Sequence, residues 1–330
     1  VKLQSHSELE VFHNMRLCFT AKDRFQYAEA SQMFDRTIER LQRTGQMTPE
    51  VYASFLYERG QLQLSWYEYE EGLHHRSEAS HHLQLAADAL EESIPNWRSC
   101  LKDALPLQEN YLNFMLARTL NDFAYALREQ GKYSQAQSAI EESIRLKKAN
   151  AALPHSIAIA LSELSQILLA QGKIVQGKTL NGEAIQRLEQ VIQQGGAAHQ
   201  PELGMILVER ANIFWQQAQL AEAVPLLERA VSLIGDKPSR QKYKHAAVKQ
   251  IDEIRSILNS GRIYQLDWRW NPRYSDLVAY DDLFLLTQAG PFTDEEQKEW
   301  TRLLPLRDDE ESRESLLELA AQSRKRESTR

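Results

Sequence analysis

The chain has 330 residues, with 39 Lys and Arg against 46 Asp and Glu, for a formal net charge of −7. This mildly acidic balance, without a dominant basic block, argues against broad nucleic-acid binding, and 42% hydrophobic with 26% charged residues is the composition of a folded soluble protein. Gly and Pro are scarce and only two cysteines occur, Cys18 and Cys100, so the sequence predicts long helices in a reducing compartment rather than a disulfide scaffold.

In chain order, Leu17 and Cys18 followed by Tyr27, Ala30, Phe34 and Ile38 give a first, degenerate helix pair. Pro49 opens a long helix carrying Tyr52, Leu56, Gly60 and Leu64, and residues 77–94 supply its partner through Leu83, Ala86, Ala87 and Leu90. Between them His74, His75, His81 and His82 bracket Glu78. A helix rises about 12 Å from His74 to His82, too far for one ion to use both, so a solvated polar face is expected there. Leu120, Phe123, Ala124 and Leu127 then form a helical stripe that Gly131 ends, and Tyr133, Ala136, Ile140 and Ile144 form the stripe of the next helix. The pattern returns as Leu161, Leu164, Ser165 and Leu168 before Gly172, with Ile174, Gly177 and Ala184 after it. It returns again as Leu207, Ala211 and Phe214 before Ala218, with Leu220, Ala223, Leu227 and Ala230 after it. Beyond about residue 260 the periodicity breaks into an aromatic and basic cluster. Short amphipathic helices are expected to follow near 276–287, 294–304 and 308–324, with Thr293-Asp-Glu-Glu296 as a capping box and a frayed tail from Ser323.

This helix–turn–helix recurrence resembles the tetratricopeptide repeat. The turns at Gly131, Gly172 and Ala218 lie 41 and 46 residues apart, which resembles the longer-repeat variety of kinesin light chains and signalling ATPases. The resemblance is firm over 110–255 and looser over 1–110. It implies an all-α, right-handed α-solenoid of about five repeats over 1–259, closed by non-repeat capping helices and a charged tail over 260–330.

The sharpest chemical motif is Gly172-Lys-Ile-Val-Gln-Gly177-Lys178-Thr179, a match to the phosphate-cradling Walker A pattern. That chemistry needs a strand before the loop, whereas residues 157–171 carry a helical stripe and Gly172 already serves as a repeat turn. No nucleophile elbow, zinc-protease motif or paired cysteines of metal spacing occurs, so no catalytic residue, metal or cofactor is expected.

What remains is surface. The resemblance places certain first-helix positions in a concave groove that grips a protein or peptide: Arg118, Asn121, Asp122 and Tyr125, then Ser162, Glu163 and Gln166, then Val208, Glu209, Asn212 and Trp215. Asn and Gln can satisfy the backbone of an extended peptide, and Tyr and Trp supply rigid apolar area. Asn121, Tyr125, Asn212 and Trp215 are the expected anchors, with packing against the neighbouring repeat as the equal alternative for Trp215. A secondary partner site, or a plug over the open end of the solenoid, is read from Trp268, Arg269, Trp270, Arg273 and Tyr274. The function implied is a non-catalytic, cytoplasmic binding scaffold, the sensor or regulatory part of a larger signalling protein. No nucleic acid and no membrane are expected among its partners, and Val1 in place of Met fits a piece of a longer chain. The alternatives are a free-standing intracellular peptide receptor and, third, a nucleotide hydrolase using 172–179.

Overall fold

A computed structural model describes residues 26–73, 75–150, 153–216, 219–235, 238–260 and 292–303, with single residues between 312 and 323. Every regular element among them is a helix: α1 (Tyr27–Arg43), α2 (Pro49–Gly72), α3 (Arg76–Lys102), α4 (Pro106–Glu129), α5 (Tyr133–Ala149), α6 (Pro154–Ala170), α7 (Ile174–Gln193), α8 (Gln200–Gln216), α9 (Leu220–Ile234), α10 (Pro238–Ser260) and α11 (Asp294–Leu303), with a 3-10 turn at Ala197–His199. The contacts divide the chain into two compact units, Val1–Ile167 and Leu168–Arg330. Within each, helices adjacent in sequence pack as neighbours, as a tetratricopeptide-like α-solenoid requires.

The helix starts follow from local chemistry. At α2 the Thr48 hydroxyl accepts the Val51 N–H at 3.2 Å, and Pro49 occupies the first turn, where its missing donor has no helical partner to lose. At α11 the Thr293 hydroxyl accepts the Glu296 N–H at 3.3 Å while the Glu296 carboxylate accepts the Thr293 N–H at 2.8 Å, which is the expected capping box.

The helix ends repeat one device. Gly131 and Gly172 take φ of 74° and 77°, a left-handed conformation that L side chains resist. Beyond each, the Lys132 N–H bonds the Leu127 carbonyl at 2.8 Å and the Lys173 N–H bonds the Leu168 carbonyl at 2.9 Å. The Gln219 N–H closes the same bond to Phe214 at 2.8 Å. The two glycine turns therefore share one Schellman geometry, the structural form of the repeat read from the sequence.

In the first unit the α2–α3 pair is packed closely enough that a Cβ on Gly60 would meet Leu90 Cγ at 2.6 Å. Helix α3 continues to Lys102 through Pro95, beyond the end expected near residue 94. An interior proline costs roughly 3 kcal/mol, offset here by burial of Ile94 and the fully enclosed Trp97. Across α4 and α5, Ala124 and Ala136 are both completely buried.

In the second unit one core joins Ala211 and Trp215 of α8, Leu220, Ala223 and Leu227 of α9, and Ala247, Ile251 and Ile254 of α10. Trp300 and Leu303 of α11, with Leu316 and Ala320, complete it. Helix α11 is thus seated on α8, α9 and α10. The cluster Trp268, Arg269, Trp270, Arg273 and Tyr274 lies outside the described residues.

Candidate functional site: a polar strip on the first helices

In the first unit, Asn121, Asp122, Tyr125 and Glu163 of the expected groove residues bond to neighbouring helices. Asp122 Oδ2 accepts from Gln61 Nε2 of α2 at 2.6 Å, and the buried Tyr57 hydroxyl bonds the same carboxyl. Burial raises the Asp122 pKa against the pull of these partners. Asn121 Oδ1 accepts from Lys147 Nζ of α5 at 3.1 Å, and the same ammonium reaches the Ser156 carbonyl at 3.2 Å. Burial lowers the Lys147 pKa to about 8, with Asp122 opposing the shift and Arg118 adding to it.

One helical turn further along α4, the Tyr125 hydroxyl donates to Glu68 Oε1 of α2 at 3.2 Å. The Arg128 guanidinium lies 5.2 Å from the Tyr125 ring centroid and pairs through Nε with Glu163 Oε1 of α6 at 2.6 Å. Its Nη1 also meets Glu129 Oε1 at 2.6 Å, and the second oxygen of Glu129 accepts from the Tyr67 hydroxyl at 2.7 Å. Arg128 and Glu163 are both buried, so this is an interior ion pair shared with a second carboxylate. Gln166 is partly buried and Ser162 is buried. Arg118 differs from these residues. It is exposed, and its Cζ lies 5.1 Å from the Tyr57 ring centroid and 5.5 Å from that of Phe114.

In the second unit Asn212 Oδ1 accepts from Gln250 Nε2 at 2.8 Å, with both residues buried. Glu209 and Val208 are partly buried. Trp215, expected as an exposed anchor, is only 7% exposed and belongs to the core with α9, α10 and α11. The reason is physical: an indole at this level of α8 meets the apolar faces of the following helices and of the C-terminal segment, and burying it removes a large apolar surface from water.

The histidine cluster also departs from expectation. His82 is buried, its ring stacked on Trp66 with centroids 3.8 Å apart and its Nδ1 2.8 Å from Gln63 Oε1. Burial lowers its pKa. The solvated face holds for His81 and His75, which are exposed, with His75 Nδ1 2.8 Å from Glu70 Oε2. Among the described residues no group of three or more His, Cys, Asp or Glu is arranged to hold a metal ion.

The Walker-like stretch sits on a helix–turn–helix. Gly172 is the turn glycine, Gly177 is buried in α7, and the Thr179 hydroxyl donates to the Val175 carbonyl at 2.9 Å. Lys178 Nζ lies 5.5 Å from the Phe214 ring centroid, and Arg210 Nη1 donates to the Lys178 carbonyl at 2.9 Å. Lys178 thus lies against α8, and Thr179 bonds back within its own helix.

Sequence reasoning missed the partners of the strip: Tyr57, Gln61, Tyr67 and Glu68 on α2, Lys147 on α5, and Arg128 on α4. The available signal was Arg128 and Lys147 at positions whose neighbours along the helix are apolar.

Residues 116–150, which contain α4 from Leu116 and all of α5, match the tetratricopeptide repeat. Among solved structures the chain is similar to a putative kinesin light chain from Podosopora anserina with nearly identical TPR-like repeats. The identity is 18% and the TM-score 0.44, over 70% of this chain and 97% of that one. No curated protein matches the chain. Residues 116–150 thus form one tetratricopeptide repeat, and its turn glycine Gly131 recurs 41 residues later as Gly172.

Proposed function

We propose that this chain is a non-catalytic scaffold that binds a protein or peptide partner along its first helices, as the sensor or regulatory region of a larger intracellular signalling protein. The observation that carries the reading lies in the first unit. Direct contacts from Glu68 to Tyr125 and from Arg128 to Glu163 tie α2 to α4 and α4 to α6 in one row. Such a row offers an extended surface, which suits a polypeptide better than a small substrate. Tetratricopeptide repeats generally mediate protein contacts, which agrees with it. Arg118, Asn121, Asp122, Tyr125, Glu163 and Gln166 make up the proposed surface: Asn121, Asp122, Tyr125 and Glu163 shape it through bonds to neighbouring helices, and the exposed Arg118 is left to meet the partner.

The nucleotide-hydrolase alternative requires 172–179 to cradle phosphate, and the helical setting of Gly177 and Lys178 opposes this. Two measurements test the proposal. Affinity capture with the tagged chain, followed by calorimetry of each purified candidate, is expected to yield a partner that binds directly. Calorimetry with Mg-ATP is expected to give no heat. Micromolar ATP binding that disappears in Lys178→Ala would replace the scaffold reading with an enzymatic one.

A further inference from the structure

We propose that Tyr111, Phe114 and Arg118 of α4 form a docking surface for an extended polypeptide segment that presents one carboxylate among apolar side chains. This deepens the scaffold reading and rests on it. The three residues fall at i, i+3 and i+7, so they share one helix face. Tyr111 is 46% and Phe114 is 43% exposed, and Arg118 is exposed beside them.

The rest of the strip is already engaged. Asn121 serves Lys147, Asp122 serves Gln61 and Tyr57, Tyr125 serves Glu68, and Glu163 serves Arg128. A ligand that used those groups would have to break buried or half-buried bonds first. On the Tyr111–Arg118 face the Tyr111 hydroxyl bonds Ser54, whereas Phe114 and Arg118 are held only by ring contacts that a ligand need not break.

Arg118 determines the chemistry of the occupant. Arg59, Arg98 and Arg128 of the same unit each hold a carboxylate, at 3.3, 2.8 and 2.6 Å. Arg118 holds none among the described residues and rests instead over two rings. Ring contact orders a guanidinium through its π face and leaves its edge N–H groups to donate, which is the geometry that accepts a carboxylate in bidentate fashion. The platform itself is fixed. Tyr57 is 1% exposed, and the Tyr111 ring stands edge-on to fully buried Trp97, with centroids 6.5 Å apart. Exposed aromatic rings around an ordered arginine have the composition of an interface hot spot.

The surroundings limit the number of acids. Glu50 and Glu58 act electrostatically on Tyr111, and Asp122 lies close enough to Arg118 to feel its charge. A ligand with a run of acidic residues would place the extra charges against these carboxylates, so the face selects one carboxylate and apolar neighbours.

A display library of random 12-residue peptides, selected against the immobilised full chain, tests this. The expected winners carry one Asp or Glu flanked by Leu, Ile, Phe or Trp. For the best of them, Arg118→Gln and Phe114→Ala should each weaken calorimetric affinity by about tenfold or more with the melting temperature unchanged. Changing the peptide's acid to its amide should cost the same in the native chain and nothing further in Arg118→Gln. Winners without an acid, winners with acidic runs, or acid-dependent binding untouched by Arg118→Gln would each overturn this inference while leaving the scaffold reading in place. Winners that reproduce the chain's own sequence would make a second copy the occupant and overturn it as well. If no peptide is enriched, the inference fails; if affinity capture also yields no direct partner, the scaffold reading fails with it.

Discussion

The ammonium of Lys147 on α5 donates to the side-chain oxygen of Asn121 on α4 at 3.1 Å, tying the second helix of the matched repeat to the first. Lys147 is 5% exposed, and its second acceptor is the Ser156 carbonyl at the start of α6. One amine thus links three helices of the first unit.

That placement makes the fold's stability depend on pH in a defined direction. Burial holds Lys147 near pKa 8, against 10.5 for an ordinary lysine. Between those values the folded chain binds fewer protons than the unfolded chain, so this group's contribution to stability rises with pH across the window and is constant below it. The full span corresponds to about 3 kcal/mol at this buried site. Thermal melts of the native chain and of Lys147→Met from pH 7 to 10 should show the native chain gaining relative to the variant as pH rises. A difference independent of pH would show that the amine keeps its ordinary pKa.

The buried charge centre at Arg128 makes a larger demand. Removing one partner of an interior ion pair leaves the other charge desolvated, at a cost of about 3–5 kcal/mol. Arg128→Met should reach that range, because Glu163 and Glu129 both lose their cation. Glu163→Gln should cost distinctly less, since Glu129 still neutralises Arg128 and the Gln oxygen still accepts from its Nε. Urea unfolding midpoints of the two variants provide the comparison, and equal losses would mean that Glu129 does not share the pair.

These cases show what was legible in the sequence. Gly131 and Gly172 could be read because only glycine enters the left-handed turn without strain, and each stands between two apolar stripes of helical period. The partners of the strip could not be read in the same way. Helix α2 carries apolar and aromatic residues on every side, so nothing in its spacing shows that Tyr57 and Gln61 turn toward α4 while Gln63 turns toward His82. Trp215 was misjudged for a related reason: its burial comes from α9, α10 and α11, and α11 is separated from it by nearly eighty residues of sequence. Side-chain direction set by distant elements leaves no local periodic trace.

Asn212 shows how that correction changes an expectation. As an exposed anchor its truncation would leave stability intact. Buried and bonded to Gln250 at 2.8 Å, it should instead cost about 1–3 kcal/mol on replacement by Ala, because the Gln250 amide is left unsatisfied. Differential scanning calorimetry of Asn212→Ala checks this, and an unchanged melting temperature would return the residue to the surface.

The repeat alignment leads to one substitution that should strengthen the fold. Ile140 stands nine residues after the turn glycine Gly131 and is fully buried; Asn181 stands nine residues after Gly172 and is equally buried. The second repeat therefore places an amide where the first places an aliphatic core residue. Neither Asn181 Nδ2 nor Oδ1 finds a hydrogen-bond partner among the described residues, so both carry a desolvation penalty with nothing to offset it. A buried unsatisfied polar group costs about 1–3 kcal/mol, and an aliphatic side chain of similar length would add apolar burial in its place. Asn181→Leu should accordingly raise stability by about 1–2 kcal/mol, the lower figure allowing for the extra volume that Leu must fit. Ala184 and Leu188, on the same buried face of α7, are unchanged by it. Urea denaturation of the variant decides the matter: a higher midpoint with an unchanged slope is the expected result. A loss of stability would mean that the amide is held by bonds the packing of α7 depends on, and that this core position was built for polarity.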